Sequence, residues 1–177
     1  CAKERMGEAM LGSTGNRAAR IGKKGKVLIG IAVLAAAAAV FFQSRPMFRE
    51  ENNPRVEFIQ AEIGQGGESY SCDIPGEEIS DELSDALVSL FLDAEMRNRL
   101  LPRPQNYYIE DGSVYLFIRV SLEQAEDLSM IVNLSNRPDF SSAQFGDTHY
   151  RIVDEQALYQ EVYDLLDDVL PAYAVPW

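Results

Sequence analysis

The stretch Val27–Phe42, reading VLIGIAVLAAAAAVFF, constrains this chain more than any other feature. It runs for sixteen residues without a charged or polar side chain. A helix apolar all round needs an apolar environment all round, from protein or from lipid. Lys23, Lys24 and Lys26 lie directly before it. Excess Lys and Arg marks the cytoplasmic flank of a membrane segment, which predicts a single-pass anchor with the N-terminus in the cytoplasm and the remainder extracytoplasmic. At 1.5 Å per residue the run covers about 24 Å against a hydrocarbon core of about 30 Å, a gap that snorkelling lysines and local thinning close. A cleaved signal peptide is the alternative, which would make the protein secreted. Alanines 35–39 offer an A-x-A cleavage site, but the apolar run continues past it through Val40, Phe41 and Phe42. A fully buried helix of a soluble core is the third reading. No cysteine stands directly after the run, which removes a lipid-modified cysteine there.

Charge divides the chain at the same place. Residues 1–26 hold seven Lys/Arg against two acids, whereas residues 43–177 hold nine Arg, no Lys and 26 acids, a balance of −17. A domain this acidic repels phosphate backbones, so no nucleic-acid partner is expected. The composition, 46% hydrophobic and 25% charged, is that of a globular protein. The expected division is a basic cytoplasmic tail over 1–26, a transmembrane anchor over 27–42, a linker over 43–55 and an acidic extracytoplasmic domain over 56–177. The linker assignment rests on two prolines, two asparagines and mixed charge in QSRPMFREENNPR. Cys1 and Cys72 flank the apolar run and cannot pair within one chain if it spans a membrane. Cys72 reads as a small buried residue. The first residue is Cys rather than Met, which leaves the true start open, with Met6 or Met10 as candidates.

Within the acidic part, Val56–Ile63 reads as a strand, residues 64–67 as a turn and Tyr70–Ile74 as the second arm of a hairpin, with Tyr70, Cys72 and Ile74 on one face. Ser80 caps a helix expected to run to about residue 97, with Leu83, Leu87, Leu90, Phe91 and Ala94 in one stripe and Pro102 and Pro104 beyond it. Asp111-Gly112 between Tyr107–Glu110 and Ser113–Ser121 predicts a type I′ hairpin. The second arm, apolar on both faces apart from Arg119, suits a central strand. A polar connection over residues 122–127, strands at Leu128–Ser135 and Thr148–Val153, and a loop over Asn136–Asp147 follow. Asp154 is expected to cap a last helix with a stripe of Leu158, Val162, Leu165, Leu166 and Val169. The tail AYAVPW is apolar enough to pack back. Hairpins dominate without βαβ alternation, so the expected fold is α+β: an antiparallel sheet with two amphipathic helices, behind one N-terminal transmembrane helix. The expected core includes Leu87, Leu90, Phe91, Tyr115, Phe117, Val132, Val162, Leu165 and Leu166.

Few signals point to chemistry. His149 is the only histidine, so any Ser-His-Asp or Cys-His arrangement must use it, and metal sites built on several His or Cys are excluded by count. Its place in a strand favours a structural or exposed role. Gly64, Gly66 and Gly67 match neither phosphate-loop spacing, and a turn is the better reading. Acids cluster over residues 77–85 and 164–168 without the ordered calcium-loop pattern. They read as solvated helix faces, although a carboxylate pair of a small hydrolase or sugar-active enzyme could hide among them. Asn133-Leu134-Ser135 matches a glycosylation acceptor but falls in an expected strand. No catalytic residue, metal ligand or small-molecule cofactor is therefore assigned.

The run NLSNRPDFSSAQFGDTHYRIVD, followed by an amphipathic helix, resembles small uncharacterised membrane-anchored extracytoplasmic α+β domains of Gram-positive bacteria. The resemblance covers roughly residues 80–170 and implies a cell-surface location, with no assigned activity and no site residues. From the residues themselves, Phe140 and Phe145, with Arg137 and Asp139, are the candidate partner contacts, because aromatics in a long loop suit protein recognition. The rings covering the edge of the core is the plainer reading. The expected function is a non-catalytic, membrane-tethered interaction module contacting another envelope protein.

Overall fold

A computed structural model describes residues 23–99, 108–123, 129–137 and 139–176, with only the backbone described for 23–26. The basic tail before Lys23, Pro102, Pro104, Tyr107, the connection 124–127, Pro138 and Trp177 lie outside the described residues. The chain forms two compact units, residues 1–38 and 39–177. Helix α1 (Lys23–Phe42) begins in the first and ends in the second. Each of its described side chains is exposed. Among the described residues no helix is long and apolar enough to cross a membrane.

The second unit is α+β, built on one antiparallel sheet. In chain order its elements are β1 (Arg45–Pro46), β2 (Pro54–Gln65), β3 (Glu68–Pro75), α2 (Asp81–Asp93), β4 (Glu95–Asn98), β5 (Val114–Leu122), β6 (Ser129–Ser135), β7 (Ser142–Phe145), β8 (Thr148–Ile152), α3 (Glu155–Leu166) and β9 (Ala174–Pro176). The spatial order is β1-β4-β8-β7-β6-β5-β2-β3-β9. The β2–β3 hairpin forms as expected, with positive φ at both Gly66 and Gly67 supplying the primed turn that matches strand twist. Residues two apart share a face. Ile59, Ala61, Cys72, Ile74, Leu116, Ile118, Val132 and Ala143 thus line one side of the sheet, and all are fully buried. Both α2 and α3 pack on this sheet and on each other. Burial pushes the Cys72 thiol up, with Asp73 adding to it.

Several boundaries differ from those read in sequence. Ser80 does cap α2, its Oγ accepting from the Leu83 amide at 3.2 Å. The helix stops at Asp93, however, and Arg97 lies in β4, whose Met96 is buried opposite Ile152. Asp154 holds the N-cap position of α3 without a side-chain cap, because its φ of 52° is left-handed and not extended. The Asp111-Gly112 turn is not a type I′ hairpin. Only Gly112 has positive φ, residues 108–110 form no strand, and β5 pairs with β2 and β6 instead. The loop over 136–147 is also shorter than expected, because Ser142–Phe145 pairs between β6 and β8. The segment 43–55 packs: Met47 and Phe48 are buried, and the Met47 amide donates to the Ala94 carbonyl at 2.9 Å. The tail adds an edge strand, β9 on β3.

Of the expected core, Leu87, Phe91, Tyr115, Val132, Val162 and Leu166 are buried. Leu90 and Phe117 are half-buried, and Leu165 is exposed. The buried row of α3 is Leu158, Tyr159, Val162 and Leu166, and Leu165 falls to its side. Tyr159 stacks on Tyr163, ring centroids 5.7 Å apart. Burial, then the charges of Tyr163, Asp164 and Asp167, pushes the Tyr159 hydroxyl up to about 12. Tyr159 thus stays protonated in the folded state while the unfolded chain ionises near pH 10, so stability falls as pH rises from about 10 to 12. Allowing for solvent screening, the loss should be roughly 1–2 kcal/mol. Urea denaturation at pH 9 and pH 11 should show a smaller loss for Tyr159→Phe than for the parent; an equal loss would place the titration elsewhere.

Candidate functional site

The turn between β6 and β7 gathers three of the four candidate contact residues. Asn136 anchors it. Its Oδ1 accepts from the Val114 amide at 3.1 Å and its Nδ2 donates to the Gly112 carbonyl at 2.6 Å. Two serines lock the next step. The Ser135 amide donates to Ser141 Oγ, and Ser135 Oγ accepts from the Arg137 amide, both at 3.1 Å. The Ser135 carbonyl accepts from Gln156 Nε2 of α3 at 3.1 Å. The turn is thus bonded both to the sheet and to α3.

Arg137 lies in the middle of an aromatic and acidic group. Its guanidinium pairs with Glu110 at 3.1 Å and donates to the Tyr115 hydroxyl at 3.5 Å. It also lies 5.6 Å from the centre of the Phe140 ring, within cation–π range. Phe140 meets Tyr115 edge to face at 5.9 Å. The Tyr115 hydroxyl and the Glu110 charge hold the Arg137 guanidinium above its ordinary range, against the opposing effect of burial. Tyr108, 72% exposed, lies beside this group through its carbonyl, which accepts from the Tyr115 hydroxyl at 3.4 Å.

Asp139 sits on the other side of the turn with φ of 68°, a left-handed conformation that Asp tolerates better than most residues. Three residues fix it. Its amide donates to Glu155 Oε1 at 3.0 Å, its carbonyl accepts from Arg99 at 3.1 Å, and its carboxylate lies 3.5 Å from Arg151. Glu155 is buried, and Arg151 lies 4.0 Å from it. These contacts hold the turn at Asp139.

Phe145 belongs elsewhere. It sits in β7, partly buried against the core. With Met47, Phe48, Met96, Met130 and Tyr150 it lines a cavity of about 380 Å³. Arg45 and Arg49 stand at the same cavity, and Arg45 lies over the Tyr150 ring at 4.6 Å. Among the described residues no acid lines it. A second cavity, about 450 Å³, lies between the end of α2 and the start of α3. Asp93, Glu95, Asp154 and Glu161 line it. Among the described residues no three His, Cys, Asp or Glu side chains gather closely enough to hold a metal ion.

His149 is exposed on β8 opposite Gln144. Asn133 of the glycosylation pattern is buried beside Ser142. Sequence reading missed Glu110, Tyr115, Arg99, Arg151 and Glu155 as contacts of this turn, and they come from three separate stretches of chain. It also missed the Arg45–Arg49 cavity, although RPMFR does place two cations around two apolar residues. Comparison with known protein families, curated proteins and solved structures finds no match for this chain, and the functional reading therefore rests on its own geometry.

Proposed function

We propose that this protein is a membrane-tethered extracytoplasmic domain that acts by binding another envelope protein rather than by catalysis. The observation that carries this reading is α1, whose segment Val27–Phe42 is apolar on every face and exposed along its described length. Exposed apolar surface of that extent marks a membrane or protein contact. Its apolar run of sixteen residues covers about 24 Å, short of a hydrocarbon core of about 30 Å, with the lysine-bearing turn at one end. The lysines favour a cytoplasmic N-terminus and leave the acidic domain on the opposite side. The Arg137–Phe140–Tyr108 group supports the binding role, since Arg and Tyr anchors are enriched where partners dock.

Protease added to intact cells or spheroplasts should remove the acidic domain and spare the N-terminal tail. Full protection of the domain would overturn the orientation, and a released form beginning near Val40 would favour a cleaved signal peptide. In the same cells, a photocrosslinking residue at position 140 should give one discrete adduct that Arg137→Ala weakens. An adduct of equal yield from position 149 would remove this turn as the contact.

A further inference from the structure

The cavity beside Arg45 is chemically unlike the rest of its domain. Residues 43–177 hold 26 acids and nine arginines, yet two of those arginines and no described acid line this one cavity. Its walls combine Arg45, Arg49 and Asn52 with apolar side chains, three methionines, Met47, Met96 and Met130, among them. Thioether side chains are flexible and polarizable and adapt to chains of variable shape. At about 380 Å³ the cavity falls within the size range of small-molecule sites. Neither cation is strongly held by acids. Arg45 stacks on Tyr150, and among the described residues it forms no ion pair. Arg49 pairs with Glu51 at 3.2 Å, with both side chains well exposed. An exposed pair of this kind contributes little and yields readily to a better anion.

The position of the cavity in the chain adds a second argument. Phe42 ends α1, and Arg45 follows three residues later, so about 10 Å of chain at most separates them. The segment is not a spacer, because Met47 and Phe48 are already buried in the domain. If α1 is the anchor, Arg45 lies within that length of chain from its end. We propose that this cavity binds an anionic membrane lipid, its phosphate on Arg45 and Arg49 and one acyl chain along Met47, Met96, Met130 and Phe145. The guanidinium fork matches a phosphate, and the apolar wall excludes water from the first part of the chain. The lipid source rests on the tethered reading above; the cation-plus-apolar chemistry of the cavity does not.

The test uses the full chain in a neutral detergent, with methionine methyl groups carbon-13 labelled and followed by NMR. Dihexanoylphosphatidylglycerol, which is soluble and needs no membrane orientation, should shift the Met47, Met96 and Met130 resonances in a saturable manner. Arg45→Gln with Arg49→Gln should weaken that binding at least about tenfold, since each lost contact is a charge-assisted hydrogen bond. Both side chains are exposed, so the double variant should fold, and its unliganded spectrum checks this. Equal shifts with dihexanoylphosphatidylcholine, or undiminished binding by the double variant, would overturn the proposal. Inorganic phosphate producing the same shifts would show a bare anion site, and octanoate binding as tightly would assign the cavity to carboxylates; either outcome overturns the lipid. Topology does not affect this readout, so protection of the domain from protease would sink the tether without deciding the cavity chemistry.

Discussion

Phe91→Ala should destabilise the acidic domain by about 3–5 kcal/mol, the range for deleting a fully buried aromatic ring. Phe91 is completely buried on α2, and its ring lies 6.2 Å from that of Phe48. It therefore joins the helix to the segment following α1, and its loss leaves a cavity that neither can fill alone. Urea denaturation in a mild non-ionic detergent, followed by far-ultraviolet circular dichroism, measures the cost. Leu90→Ala, one position along, should cost only about 1 kcal/mol, because Leu90 is half-buried. Equal costs would mean that α2 is rotated from the packing described.

Gly64→Ala should cost about 3 kcal/mol, by overpacking and not by lost contacts. Gly64 lies in β2 with its amide donating to the Ser113 carbonyl at 2.9 Å and its own carbonyl accepting from the Gly112 amide at 2.8 Å. The Glu110–Ser113 turn thus rests directly on the Gly64 backbone. A methyl group there would overlap the Glu110 carbonyl oxygen and reach within 3.0 Å of the Ile109 side chain. Both neighbours belong to a turn already fixed by the Ser113 and Asn136 side chains. Gly66→Ala is the comparison. A methyl group at Gly66 would meet nothing within 4 Å, but its φ of +65° should cost about 1 kcal/mol through backbone strain. If Gly64→Ala cost no more than Gly66→Ala, the turn would have to move aside freely.

The two candidate surfaces divide along the same lines as the fold. Arg137, Asp139 and Phe140 are neighbours in sequence and remain neighbours in space. Their contacts Glu110, Tyr115, Arg99, Arg151 and Glu155 come from elsewhere in the chain and decide which of them hold the turn. Asp139 is committed to holding the turn, whereas Arg137 and Phe140 share a surface with Tyr108. Phe145, only five residues from Phe140, joins a different cavity because strand pairing places it in β7.

What sequence alone determined here is local. The Gly66-Gly67 turn, the Ser80 cap, most of the apolar rows of α2 and α3 and the buried face of β5 all follow from conformational preference or from periodicities of 2 and 3.6 residues, which act over a few residues. The charge division and the uniform apolarity of Val27–Phe42 are likewise properties of composition. Only the tertiary structure decided which short segments became strands. Glu95–Asn98 left a helical stripe because Met96 fills the core opposite Ile152. Ser142–Phe145 left an expected loop because β6 and β8 offered backbone partners on both sides. Met47 and Phe48 turned an expected spacer into core because α2 presented Phe91 to them. In each case the backbone hydrogen bonds and buried area come from residues distant in the chain, and no local pattern carries that information.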